Sequence, residues 1–113
     1  MDKIIERGML FDFYGELLTD HQKNIYSEAV YNDLSLSELS EETGISRQGV
    51  HDLIKRCDKQ LSEYEDKLKL IEKFQSIKKK LKELEALVDG DKTVDSSLKE
   101  ELRAGFNKII EDL

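Results

Sequence analysis

The segment Leu36–Arg56 most constrains the fold, because it joins two short amphipathic stretches through a glycine. Val50 and Leu53 recur at helical spacing in the second stretch and mark its buried side. Gly44 stands where a tight turn needs a residue with positive φ, and Ser46 can cap the helix that follows. The order predicts a helix-turn-helix, a motif whose second helix enters the major groove of DNA.

The polar side of that second helix supplies the candidate nucleic-acid contacts: Ser46, Arg47, Gln48, His51 and Lys55. Arginine can bind guanine through two hydrogen bonds and glutamine can bind adenine in the same way, while Ser46 and the first backbone amides suit a phosphate. Gly49 is expected to weaken the helix by about 1 kcal/mol. The alternative is that these polar residues are simply the solvated face of an amphipathic helix.

The distribution of charge argues against a simple DNA-binding protein. The net charge is −7, and residues 19–60 hold five basic against eight acidic side chains. Residues 67–82 instead hold seven lysines against one glutamate: Lys67, Lys69, Lys73, Lys78, Lys79, Lys80 and Lys82. Because phosphate neutralisation supplies much of the affinity for DNA, two hypotheses stay open for this lysine stripe. It binds RNA or an acidic protein surface, or it is a solvated helix face whose lysines pair with Glu83 or Glu85.

The rest of the chain predicts an all-α fold. Proline is absent, 38% of residues are charged and 38% are hydrophobic, a composition typical of long helices. Helical spacing predicts a first helix over residues 2–17, and Thr19–Gln22 forms a capping box for a second. We expect a helix-turn-helix core over residues 1–60, followed by a helical arm and a terminal helix over residues 61–113.

The helix that begins after Ser46 shows no sequence signal to stop before the polar turn Asp89–Asp95, so one helix over residues 46–88 is expected. From Cys57 onward its apolar residues follow in steps of three and four, as in a coiled coil. A helix with so narrow an apolar stripe needs a partner, which predicts a homodimer through the arm. The expected seam is Leu61, Leu68, Ile71, Ile77, Leu81 and Leu84, and a last helix capped by Ser96 or Ser97 would fold back or pair with the second subunit.

No pattern in the chain points to an enzyme, a cofactor or a metal site. A phosphate-binding glycine loop and a nucleophile–base signature are both missing from the sequence, so no catalytic residue is assigned. His51 and Cys57 fall on different faces of their helix, which does not suit zinc. The chain has no apolar run long enough for a membrane span, begins without a signal peptide and has one cysteine. These features favour a cytoplasmic protein without membrane insertion.

Part of the chain resembles region 4 of bacterial sigma factors. The resemblance starts at Thr19–Lys23, includes the turn at Gly44–Val50 and ends near Arg56. Thr43 stands where that region usually has a larger apolar residue, and Gly49 where it usually has a charged one. The resemblance implies a helix-turn-helix that contacts DNA, with two departures at the turn and the recognition helix.

The chain as a whole more closely resembles the YlxM family of small bacterial helix-turn-helix proteins. The segments Gly8–Leu18 and Tyr26–Ser35 carry this resemblance, which covers roughly residues 1–88. The family is associated with the signal recognition particle pathway. The resemblance therefore implies a non-enzymatic regulatory or accessory protein that binds RNA or protein components of that particle. The motif itself implies the alternative, a dimeric transcriptional regulator that reads DNA.

Overall fold

The computed structural model describes residues 3–113, which fold into helices joined by short turns. No strand occurs within this range, which confirms the expected all-α class, and no helix in it is long and apolar enough to cross a bilayer. The helices are α1 Lys3–Tyr14, α2 Asp20–Tyr31, α3 Leu36–Thr43, α4 Arg47–Leu68, α5 Leu70–Gly90 and α6 Ser96–Asp112, with a 3-10 turn at Gly15–Leu17. The chain divides into two compact units: unit 1 ends at Ile71, and unit 2 is Glu72–Leu113.

Side-chain caps start the helices close to where the sequence placed them. Thr19 accepts from the Gln22 amide at 3.2 Å and the Gln22 side chain accepts from the Thr19 amide at 3.0 Å, which confirms the capping box of α2. Ser35 and Glu38 form a second capping box at α3. Asp95 caps α6 by accepting from an amide at 2.7 Å, so the two serines expected in that role lie inside the helix.

Helices α1 to α4 share the hydrophobic core of unit 1. Burying one large apolar side chain contributes about 1.5–3 kcal/mol, so this cluster is the main source of stability. The start of α1 adds little, because Ile4 and Ile5 are exposed. The core residues are Leu10, Tyr14, Leu18, Ile25, Tyr26, Leu39, Val50, Leu53, Cys57, Leu61 and Ile71.

A polar cluster at the edge of this core ties three helices together. Arg7 of α1 donates to both carboxylate oxygens of Asp58 on α4, at 2.9 and 2.7 Å. Tyr26 of α2 donates to the same carboxylate at 2.6 Å. The hydrogen bond to Asp58 raises the pKa of Arg7, and burial raises the pKa of Tyr26. Because each donor would lose its partner if the carboxylate were removed, Asp58 fixes α1 and α2 against α4.

The expected single helix over residues 46–88 is wrong, because the helix is interrupted at Lys69. This residue has a left-handed φ of 57°, and its amide donates to the carbonyl of Glu65 at 2.9 Å. Neither glycine nor proline marks the position, and left-handed backbone is unfavourable for other residues. The interruption must therefore be stabilised by side-chain contacts.

Tyr14 of α1 and Glu65 supply those contacts. The Tyr14 hydroxyl donates to the Glu65 carboxylate at 2.5 Å and accepts from the Leu70 amide at 3.2 Å. The same carboxylate accepts from the Ile71 amide at 3.0 Å. Two backbone donors at the start of α5 are thus satisfied by side chains, as the first amides of any helix require. Burial raises the pKa of Tyr14, which keeps its hydroxyl protonated and able to donate.

Within unit 2, α5 and α6 form an antiparallel hairpin. Arg103 contacts Glu85 at 3.2 Å and Asp89 at 2.8 Å, and Lys99 donates to the Asp89 carbonyl at 3.0 Å. The solvated-face hypothesis paired the stripe lysines with Glu83 or Glu85, and of these two Glu85 is instead paired with Arg103 of α6. The buried or half-buried apolar residues of these two helices in unit 2 are Phe74, Ile77, Leu81, Val88, Leu102, Phe106 and Ile110.

Candidate nucleic-acid interface

The turn of the helix-turn-helix has the expected geometry. Gly44 is left-handed with φ 74°, and its amide donates to the Ser40 carbonyl at 3.0 Å. The Ser40 hydroxyl donates to the Ile45 carbonyl at 2.6 Å, which closes the turn. Ser46 caps α4 by accepting from the Gly49 amide at 3.0 Å. The sequence signals for the turn and for the cap are both confirmed.

Gly49 also has a packing role, which helix propensity alone does not predict. A Cβ at this position would lie 2.7 Å from Cγ2 of Ile45 and 3.1 Å from Oγ of Ser46. The first distance is shorter than side chains normally allow, so a larger residue here would require Ile45 to shift from its place beneath the turn. The expected loss in helix propensity is thus linked to a close approach that holds the turn against α4.

The candidate contact residues share the solvent side of the first turns of α4. Val50 and Leu53, on the other side, are buried in the unit 1 core, as the spacing predicted. This division leaves the start of α4 free to approach a ligand with polar groups only. The exposed candidates are Ser46, Arg47, Gln48, His51 and Lys55.

Asp52 lies beside this polar surface and contacts two of the candidates. Gln48 donates to Asp52 at 2.9 Å, and Nδ1 of His51 is 3.5 Å from the same oxygen. The carboxylate holds the Gln48 amide in place, but it also opposes the approach of a phosphate. To bind a base, Gln48 must exchange this hydrogen bond for a new one.

Helix α1 brings further basic side chains alongside the recognition helix. Lys3 and Arg7 line a groove with His51 and Lys55, closed at its other end by the α2–α3 connection. A neighbouring groove between α1 and α4 adds Lys59. Arg7 is committed to Asp58, whereas within residues 3–113 no ion pair involves Lys3, Lys55 or Lys59. Lys3 and Lys59 were not among the predicted contacts, because no local spacing shows that α1 lies beside the motif.

The lysine stripe is spread over both units and is exposed throughout. Lys67 and Lys69 belong to unit 1, and the others belong to unit 2. On α5, Lys78, Lys79 and Lys82 surround a shallow depression. In the described part of the chain no ion pair engages the stripe lysines of unit 2, which are Lys73, Lys78, Lys79, Lys80 and Lys82.

The structure divides the expected dimer seam into buried and open residues. Leu61, Ile71 and Leu81 are only 0, 9 and 7% exposed, so their own chain already covers them and they are not free for a second subunit. Ile77 is half-buried. Leu68 and Leu84 remain 48 and 47% exposed. Of the expected seam residues, Leu68 and Leu84 are therefore the ones that stay most open to a second subunit.

Cys57 is a core residue. Its side chain is fully buried, and this burial raises the pKa of the thiol to about 11. His51 is exposed on another face of α4. Among residues 3–113 no group of three histidine, cysteine, aspartate or glutamate side chains is placed to hold a metal ion.

Comparison with known proteins identifies the family of this chain. Residues 1–101 match the family described as "Putative helix-turn-helix protein, YlxM / p13 like". A UPF0122 protein of Shouchella clausii is 43% identical over 96 residues, covering 85% of this chain and 88% of its own. A UPF0122 protein of Bacillus thuringiensis is 40% identical over 104 residues, covering 92% of this chain and 94% of its own. The chain therefore belongs to the YlxM/p13-like family of helix-turn-helix proteins.

Proposed function

We propose that this protein is a regulatory protein that binds duplex DNA through its helix-turn-helix, with α4 in the major groove. The observation that carries the proposal is the exposed polar face at the start of α4, behind the Ser46 cap and beside the basic end of α1. A recognition helix needs exposed polar side chains on the face toward DNA and apolar side chains on the face packed against the core, and α4 provides both.

The contacts would fall into two classes. Arg47 and Gln48 are suited to base edges, since they pair with guanine and adenine through two hydrogen bonds each. Lys3, Lys55 and Lys59 flank them and are suited to phosphates, which position the protein without reading sequence. The surrounding acidic residues weaken non-specific attraction to DNA, so base contacts would account for a larger share of the affinity.

Fluorescence anisotropy with a duplex selected from a random pool tests this proposal. The double variant Arg47→Ala, Gln48→Ala should weaken binding of the selected duplex by about tenfold or more, because each bidentate base contact contributes about 1–3 kcal/mol. The matched control is Asn107→Ala, Lys108→Ala, which removes an exposed amide and an exposed cation from α6. Equal affinities of the two variants would contradict the proposal.

A second function rests on the lysine stripe, which has no ion pairs of its own in unit 2. We propose that Lys78, Lys79 and Lys80 bind RNA or an acidic protein, in an accessory role in the signal recognition particle pathway. Changing these three lysines to glutamate should abolish binding of the particle's RNA and leave binding of a duplex with a single half-site intact. The Arg47→Ala, Gln48→Ala variant should lose DNA binding and keep RNA binding. If both variants lose the same activity, the assignment of DNA and RNA to separate surfaces is wrong.

In either role we propose that the protein acts in the cytoplasm as a homodimer. Helix-turn-helix proteins commonly bind two half-sites through two recognition helices. A second copy would supply the second helix without any change in the motif itself.

A further inference from the structure

The two edges of the α5–α6 hairpin have opposite chemistry. One edge is closed by the ion pairs of Arg103 with Glu85 and Asp89. In an antiparallel pair of helices, residues that are rotated away from the interface in the same direction around their own helix axes lie on the same edge of the pair. Counted at 3.6 residues per turn, two apolar residues on each helix are rotated away from the edge that carries the ion pairs. They are Leu84, Leu87, Leu98 and Ile109, which are 47, 71, 45 and 46% exposed. We call the edge that these four residues form the open edge of the hairpin.

The ion pairs also set the register of the two helices. Because Arg103 reaches both Glu85 and Asp89, it lies level with the turn between them. Gly105, on the open edge, then lies level with Leu84. A Cβ at Gly105 would meet nothing within 4 Å, so the space in front of this glycine is empty. The open edge therefore combines protruding leucines with a place where another helix can approach closely.

The charged side chains nearest to the apolar residues of the open edge are of opposite sign on the two helices, and Glu83 and Lys108 lie farther round their helices. Lys73 and Lys80 flank the apolar residues on α5, and Glu101 and Asp112 flank them on α6. In the same register, Asp112 is level with the stretch between the two lysines. Within residues 3–113 none of these four side chains forms an ion pair.

From these three observations we infer that the open edge binds a second copy of the chain, so that α5 of each copy lies against α6 of the other. Leu84 of one copy then faces Gly105 of the other, and Asp112 faces Lys73 and Lys80. Two-fold symmetry makes each contact twice. The result is an antiparallel four-helix bundle, in which apolar edge residues are covered and short loops connect neighbouring helices.

The charge pattern favours a second copy over an unrelated partner. An acidic partner would match the lysines of α5 and be repelled by the carboxylates of α6, and a basic partner would do the reverse. A surface with the same two charges in opposite order satisfies both helices, and a second copy presents such a surface. This inference gives the homodimer proposed above its surface, and it does not depend on which nucleic acid the motif binds.

Sedimentation equilibrium of the full chain tests the surface directly. Leu87→Glu should raise the dimer dissociation constant by at least about tenfold, since a buried charge without a partner is strongly unfavourable. Leu87 is 71% exposed in the chain itself, so the substitution should leave the monomer folded. The matched control is Leu17→Glu, because Leu17 is 54% exposed and lies in unit 1. A monomeric wild-type protein, or equal effects of the two variants, would overturn the inference.

A charge exchange between two chains tests the register. One chain carries Lys73→Glu and Lys80→Glu, and the other carries Asp112→Lys. Each alone should dimerise more weakly than wild type, because like charges then meet across the bundle. Mixed, the two chains should form a heterodimer in which both contacts are restored, detected by native mass spectrometry. Failure of the mixture to form the heterodimer would overturn the proposed pairing.

Failure of this dimer can be separated from failure of the DNA proposal. Leu87→Glu should still bind a single half-site with wild-type affinity, since the substitution is far in sequence from the motif and lies in unit 2. A variant that is monomeric but binds the half-site supports both proposals. A wild-type dimer that binds no selected DNA supports the dimer surface and removes only the DNA function.

Discussion

Replacing Gly49 with alanine should destabilise the helix-turn-helix, although helix propensity alone predicts the reverse. In an open helix the change would stabilise by about 1 kcal/mol. Here the new methyl group would lie 2.7 Å from Ile45 and 3.1 Å from Ser46. Moving Ile45 to relieve such overpacking costs about 1–3 kcal/mol, and displacing the Ser46 cap costs about 1 kcal/mol more. The sum is a net loss of about 1–3 kcal/mol in the free energy of unfolding.

Urea unfolding followed by tyrosine fluorescence measures this change in unit 1 alone. The chain has four tyrosines and no tryptophan, and Tyr14, Tyr26, Tyr31 and Tyr64 all precede Ile71. The midpoint should fall with an unchanged m value, and a loss of 1 kcal/mol should lower Tm by about 4–8 °C in a domain of this size.

The matched control is Gly8→Ala, in α1 of the same unit. A Cβ at Gly8 meets nothing within 4 Å, so alanine should stabilise by up to about 1 kcal/mol at this site. The two substitutions are chemically identical and should shift the midpoint in opposite directions. If Gly49→Ala unfolds at the same or a higher urea concentration than the wild type, the packing argument for the turn is refuted.

Three further results are expected. Asp52→Asn should tighten duplex DNA binding about fivefold at low salt, since one like charge beside a phosphate opposes binding by about 1 kcal/mol; an unchanged affinity would show that Asp52 does not face the DNA. Tyr14→Phe should lower the free energy of unfolding by about 1–2 kcal/mol and speed hydrogen exchange at the Leu70 amide, because the bonds to Glu65 and Leu70 are lost. Because burial raises the pKa of the Cys57 thiol from 9.0 to about 11, its contribution to stability is complete below about pH 9 and is lost as pH rises through 11; urea midpoints against pH should fall less steeply for Cys57→Ala.

Features set by neighbouring residues could be read from the sequence. The left-handed Gly44, the Ser46 cap and the capping box of α2 each depend on contacts within a few residues, and all three occur as expected. The buried positions of α4, such as Val50 and Leu53, follow from helical spacing in the same way.

Features set by distant contacts could not be read from the sequence. The interruption at Lys69 is stabilised by Tyr14, which lies on another helix, so the local sequence offers no stop signal. The heptad-like spacing of α5 indicated a seam, but it does not tell which residues α6 covers. Leu81 is covered and Leu87 is not. Spacing along α1 likewise gives no sign that Lys3 lies beside Lys55.

Selection of binding sites from a random pool of duplex DNA tests the central claim most directly. The wild-type protein should enrich a defined sequence with guanine or adenine at the positions that Arg47 and Gln48 contact. The Arg47→Ala, Gln48→Ala variant should lose the preference at those positions, and the Asn107→Ala, Lys108→Ala variant should retain it. If the wild type enriches no sequence and binds all duplexes alike, with affinity that falls steeply with salt, the helix-turn-helix is not a reader of DNA sequence.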